Sequence, residues 1–129
     1  MVGLDTSVVV RLLVGEPADQ AQAAHRSLRE AAEPALLSDL VVGEAYFALR
    51  HHYRVPHRKA AAALRALLAD ERIQPTGVAR DVLEAIGEAD AAPGLMDRLI
   101  HGGYRHDGAA LLTFDRDAAK LAGARLLHG

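Results

Sequence analysis

The chain has no cysteine among its 129 residues, which excludes disulfides, thiolate metal sites and thiol nucleophiles. That absence fits a reducing compartment, and a cytoplasmic location is the expectation. No uncharged apolar run approaches the roughly 18 residues that a membrane span requires, so no membrane association is expected. No secretory leader is legible either, because the first apolar run contains Asp5 and Arg11 and lacks a basic start. The formal charge of −2 provides no overall basic field. Any nucleic acid would have to be held by local arginines, such as Arg11, Arg50, Arg54 or Arg98. Internal repeats, low-complexity tracts and linkers are absent, and the length suits one domain over residues 1–129 with a single sizeable core.

Several catalytic patterns are missing as well. The seven histidines include no HExxH and no HxH spacing, so a histidine-rich zinc site is not expected. No GxGxxG opens the first helix and no GK[ST] follows a glycine turn, which argues against dinucleotide and phosphate-loop sites. Ser7 lacks a GxSxG frame. Asp5 has no second acid two residues on, which speaks against a phosphoaspartyl phosphatase.

What is present begins at the first residues. Val2-Gly3-Leu4-Asp5-Thr6-Ser7 reads as a very short buried strand ending in an acid and turning at once into a helix from Thr6 to about Val14. Gly15 ends that helix, and Pro17 opens a second with Ala21, Ala24, Leu28 and Ala31 on one face. Ala35–Leu37 is the next short strand, and Ser38 or Asp39 caps a helix from Leu40 to about Tyr53. Pro56 opens a fourth helix, with Ala60, Ala63, Leu64, Leu67 and Leu68 as its buried stripe. Ile73-Gln74 is a minimal strand, and Thr76 caps a helix carrying Val78, Val82, Leu83 and Ile86. Leu95 to Tyr104 is helical, Ala109–Leu112 is a late strand, and a short helix begins at Thr113 or Asp115 and ends at Gly123. Arg125–Leu127 is the last edge strand. Strands alternating with helices imply an α/β fold with a short-stranded central parallel sheet between helical layers.

Four acids stand where ligands gather in such folds. Asp5 lies at the carboxyl end of the first strand, the edge at which open parallel sheets bind ligands. Glu44 shares a helical stripe with Leu40, Val41, Phe47 and Ala48, where an unpaired carboxylate is costly. Asp97 sits in a first helical turn, and Asp115 lies between a strand and a helix. Each has a purely structural alternative: an N-cap for Asp5 and Asp115, a helix-dipole partner for Asp97, a salt bridge for Glu44. If the four converge, mutual repulsion is severe, since two charges about 6 Å apart cost roughly 3 kcal/mol at an effective dielectric of 20. Such a cluster needs a divalent cation or raised pKa values. An all-oxygen donor set favours Mg²⁺ or Mn²⁺.

With these residues in view the chain resembles PIN-domain proteins, in particular the VapC toxins of bacterial toxin–antitoxin pairs. The motifs that carry the likeness are Leu4-Asp5-Thr6-Ser7, Val41-Val42-Gly43-Glu44, Met96-Asp97-Arg98-Leu99-Ile100 and Thr113-Phe114-Asp115-Arg116-Asp117. Each is short, and their order and spacing extend over the whole chain. The resemblance implies a three-layer α/β/α PIN-like domain and an acidic site of Asp5, Glu44, Asp97 and Asp115. Asp5 and Asp97 would be the most direct metal ligands, with Asp117, Thr113 and Thr6 as accessory groups. It also implies Mg²⁺- or Mn²⁺-dependent endoribonuclease action on RNA, a homodimer, and an antitoxin partner. Glu44 and Asp115 are the alternatives for orienting the attacking water. A catalytically idle PIN-like module that only binds RNA or a partner is the competing reading. A receiver-like phosphoacceptor domain is disfavoured, because it would need an acid pair at the first strand and a suitably placed late lysine.

Overall fold

A computed structural model describes residues 1–86 and 91–129. Helices dominate, and every strand pairing among the described residues is parallel. The element order is α1 (Thr6–Val14), α2 (Ala18–Glu30), β1 (Ala35–Leu37), α3 (Asp39–Phe47), a π-helical turn (Ala48–His52), α4 (His57–Ala69), β2 (Ile73–Pro75), α5 (Ala79–Ile86), α6 (Leu95–His106), β3 (Leu112–Thr113), a 3₁₀ turn (Ala118–Lys120) and β4 (Arg125–Leu126). Strand β1 pairs with β2 in the register Ala35–Ile73, Leu36–Gln74 and Leu37–Pro75. The expected first strand is reduced to one bridge, Gly3 to Leu36, held by Leu4 N donating to Leu36 O and Leu36 N to Val2 O. With only three residues between the bridge and the helix cap, the chain has no length for more.

The helices start and stop for local reasons. Asp5 caps α1, and Gly15 ends it at φ 81°, donating its N–H to Arg11 O. Ser38 caps α3 through Val41 N. Asp39, the other residue expected at that cap, does something else: its two carboxylate oxygens accept from Val78 N and Ala79 N at the start of α5. It takes the place expected for Thr76. Gly77 makes room for this clasp, since a Cβ there would lie 2.3–2.7 Å from the Asp39 carboxylate. The helix expected to run to Tyr53 widens after Phe47 into the π turn, with Tyr53 N donating to Ala48 O.

The core is aliphatic. Val9, Leu37, Val42, Leu64, Leu68, Leu83 and Leu95 are fully buried, and they join α1, β1 and helices α3 to α6 in one cluster with Leu28 from α2. On α2 the buried face is Ala21, Ala24 and Leu28, while Ala31 lies outside the helix and is exposed. Apart from Ala118, no residue after Leu99 is a buried hydrophobic, and none belongs to that cluster. The late strand is shorter than the expected Ala109–Leu112 and begins further on. With β4 it forms a separate pair, Leu112–Arg125 and Thr113–Leu126. No helix among the described residues is long and apolar enough to cross a membrane.

Candidate active site

Asp5 is placed by the bridge and by its own capping role. Its Oδ1 accepts from Ser7 Oγ at 2.6 Å and Val8 N at 3.1 Å. The Ser7 hydroxyl first, then the Val8 amide, hold this exposed carboxyl below its ordinary value of 3.8, with the Arg11 charge adding the least. Oδ2 accepts no hydrogen bond from a described residue and faces solvent chemistry unencumbered. Packing of α1 on α3 then sets the Thr6 hydroxyl against Glu44, with Oγ1 donating to Oε1 at 3.3 Å. The two residues are 38 positions apart, so this is tertiary structure rather than a local turn.

Glu44 differs from the sequence expectation in its surroundings. Its stripe is not buried: Leu40 is 68% and Phe47 63% exposed, and Glu44 itself is exposed. The buried face of α3 is instead Val42, Gly43 and Ala45. Glu44 therefore bears little desolvation, and the argument that burial forces a cation on it does not hold. Nor does it form a salt bridge with an arginine; Thr6 is its hydrogen-bond partner among the described residues.

Helix α6 crosses α3 at Gly43, where a Cβ would stand 2.3 Å from Met96 Cε and 2.9 Å from its Sδ. This close approach brings the first turn of α6 beside Glu44. Thr6, Gly43, Glu44, Tyr46, Phe47, His51, Gly94, Leu95 and Met96 line a single cavity of about 400 Å³. Asp97 follows Met96 in that turn, half-buried, with no side-chain hydrogen bond or ion pair among the described residues. Three aromatic groups of the cavity escaped the sequence reading. Phe47 and His51 stack at 4.4 Å between ring centroids, and the Tyr46 hydroxyl meets His57 Nδ1 at 2.5 Å. The i, i+4 spacing of Phe47 and His51 was the available signal.

Asp115 stands apart. Its Oδ1 accepts from Asp117 N at 2.8 Å and Ala118 N at 3.4 Å, opening the 3₁₀ turn, while Asp115 N donates to Thr113 Oγ1. Asp117 is paired with Lys120 at 3.2 Å. Thr113, Asp115 and Asp117 thus serve one another within the C-terminal unit. The expected convergence of four strand-end acids is not what the structure has, because β3–β4 forms its own sheet and does not extend β1–β2. Among the described residues no three Asp, Glu or His side chains gather closely enough to hold one metal ion. The donors have the right chemistry for a hard cation, all oxygen, but their placement does not fit one.

The arginines considered for phosphate binding are largely engaged locally. Arg11 Nε donates to Gln20 Oε1, Arg50 Nη1 to Val55 O and Arg98 Nε to Pro93 O. A comparison with curated proteins finds no match. The model of the PIN domain family, however, matches residues 2–124. Short parallel strands layered with helices, and an acid at the first strand end set beside a glutamate of α3, agree with that match; the chain belongs to the PIN-domain family.

Proposed function

We propose that this protein is a Mg²⁺- or Mn²⁺-dependent endoribonuclease, the toxin of a toxin–antitoxin pair. The observation that carries the reading is the family match over residues 2–124, together with the meeting of Thr6 and Glu44 next to Asp5. In this reading Asp5 and Asp97 are the direct metal ligands, Glu44 and Asp115 complete the acidic set, and Thr113 and Asp117 are accessory. Ser7 and Val8 occupy one oxygen of Asp5 and leave the other available, and Thr6 orients the Glu44 carboxylate. The exposed Phe47–His51 pair beside Glu44 offers faces on which an RNA base can stack. Met96, Ile100 and Tyr104, spaced four apart on α6, form an uncovered apolar stripe that supports the homodimer. The antitoxin and the toxin role rest on the resemblance of the four motifs.

A second reading, an idle RNA- or partner-binding module, is favoured by the separation of the acids. One experiment divides the two. Purified protein is incubated with end-labelled single-stranded and hairpin RNA in Mg²⁺, Mn²⁺ or EDTA. Cleavage is expected only with a cation, and Asp5→Asn or Asp97→Asn should lower it about 100-fold or more with an unchanged circular dichroism spectrum. Equal cleavage in EDTA, or full activity in both variants, refutes the assignment. RNA bound but uncut with every cation identifies the idle module.

A further inference from the structure

A second cleft, of about 520 Å³, lies between α5, α6 and the chain after the 3₁₀ turn. None of Asp5, Glu44, Asp97 and Asp115 lines it. Its floor is aliphatic: Val78, Val82 and Ile86, faced by Leu121. Gly102 lets α6 lie low over this floor, since a Cβ there would be 3.0 Å from Val82 Cγ2 and 3.2 Å from Val78 Cγ2. One rim is cationic. Arg98, His101, Arg105 and His106 fall three, seven and eight positions apart, on one face of α6. Asp81 is the single acid in the lining.

The rim cations are not neutralised. None of the four forms an ion pair with a described residue. Arg98 uses Nε on Pro93 O, Arg105 uses Nη1 on Ala122 O, and His101 Nε2 meets the same carbonyl at 2.7 Å. Each guanidinium carries five N–H donors, so both arginines keep donors aimed outward. In a chain of net charge −2 this is a local positive edge beside an apolar trough. An occupant must therefore combine anionic and aliphatic groups. RNA offers the first but not the second: bases are held on aromatic faces, and no Phe, Tyr or Trp lines this cleft. An amphipathic peptide segment offers both.

The geometry points to a docking site for an acidic amphipathic helix of a partner protein. Its leucine-like side chains fill the floor of Val78, Val82, Ile86 and Leu121, and its carboxylates meet Arg98 and Arg105. The site is distinct from the nuclease reading and does not depend on it.

The test uses the full chain and a fluorescent helical peptide built of leucine and glutamate, followed by anisotropy. The peptide should bind, its affinity should fall with salt, and a leucine–lysine counterpart should not bind. Arg105→Glu should weaken binding about ten-fold or more, as loss of a charged hydrogen bond implies. Ala85→Glu, an exposed change that puts an acid in the cleft without touching the core, should do the same. In the unsubstituted chain, the methyl signals of Val78, Val82, Ile86 and Leu121 should shift on peptide addition while those of Val9 stay put. Undetectable binding, unchanged affinity in Arg105→Glu and Ala85→Glu, or methyl shifts elsewhere overturns the proposal. Displacement of the peptide by a single-stranded oligonucleotide that itself needs Arg105 also overturns it, and gives the cleft to nucleic acid.

Discussion

The body of the molecule and its last twenty residues are held by different means. In the body, α1 to α6 close over fully buried leucines and valines, and the contacts that set Thr6 against Glu44 come from helix packing. After Gly108 the chain is organised by short hydrogen bonds of its own: Arg125 N to Leu111 O, Leu127 N to Thr113 O, and the Asp115 turn. Leu112 is 56% and Phe114 71% exposed, so this unit stabilises itself through its backbone and very little through apolar burial. The lesson concerns the acids. Those placed by the body keep fixed company, whereas Asp115 is positioned by a unit that the core barely grips.

The sharpest way to break that contrast is to cut the same kind of side chain in both places. Leu64→Ala, in the centre of the core, should cost about 2–5 kcal/mol, read by urea denaturation. Leu112→Ala, in the C-terminal pair, should stay within about 0.5 kcal/mol. Equal losses would mean that the two regions share one core. Next in size is Gly77→Ala, which drives Asp39 off Val78 N and Ala79 N. About 1–3 kcal/mol should be lost, and Asp39→Ala should remove most of that difference in a double-mutant cycle.

The smallest effect is acid sensitivity. Asp70 is held down to about 2 from its ordinary 3.8, chiefly by the Arg72 side chain and then by the Arg72 amide. A folded-state pKa below the unfolded one means that ionised Asp70 favours the fold above about pH 4, and that this contribution disappears as pH falls toward 2. The pair is partly solvated, so screening keeps the effect small. Asp70→Asn should flatten the stability profile over that window without changing it at neutral pH. Hydrogen exchange offers a check that needs no substitution. Amides of Leu64 and Leu68 should exchange only by global unfolding, while those of Arg125 and Leu127 exchange by local opening.

Much of this fold is legible in the sequence because caps and breakers act locally. Asp5, Gly15, Ser38, Pro56 and the Pro93-Gly94 pair mark helix ends that the structure keeps within a residue or two. Three features are not legible, each for a stated reason. The Asp39 clasp joins residues 39 and 40 positions apart, and no local pattern carries such a pairing. The exposure of Leu40 and Phe47 inverts the stripe argument at Glu44: periodicity gives a face, not which side of the molecule covers it. The separation of Asp115 depends on which strands pair, and strands of two residues hold too few side chains to fix their neighbour from sequence. For the candidate site, the motifs foretold the nearness of the first helix to Glu44, while the aromatic wall of Tyr46, Phe47 and His51 was left unread.

The π turn at Ala48–His52 carries one residue more than an α-helix would need over the same stretch. Losing a single residue there would restore regular winding and keep the segment helical. Everything downstream, from His51 to the start of α4, would then swing by about 100° around the axis. Length at this point in the chain therefore acts as a rotational setting, and an indel of one residue would be read by the molecule as a change of face rather than as a break.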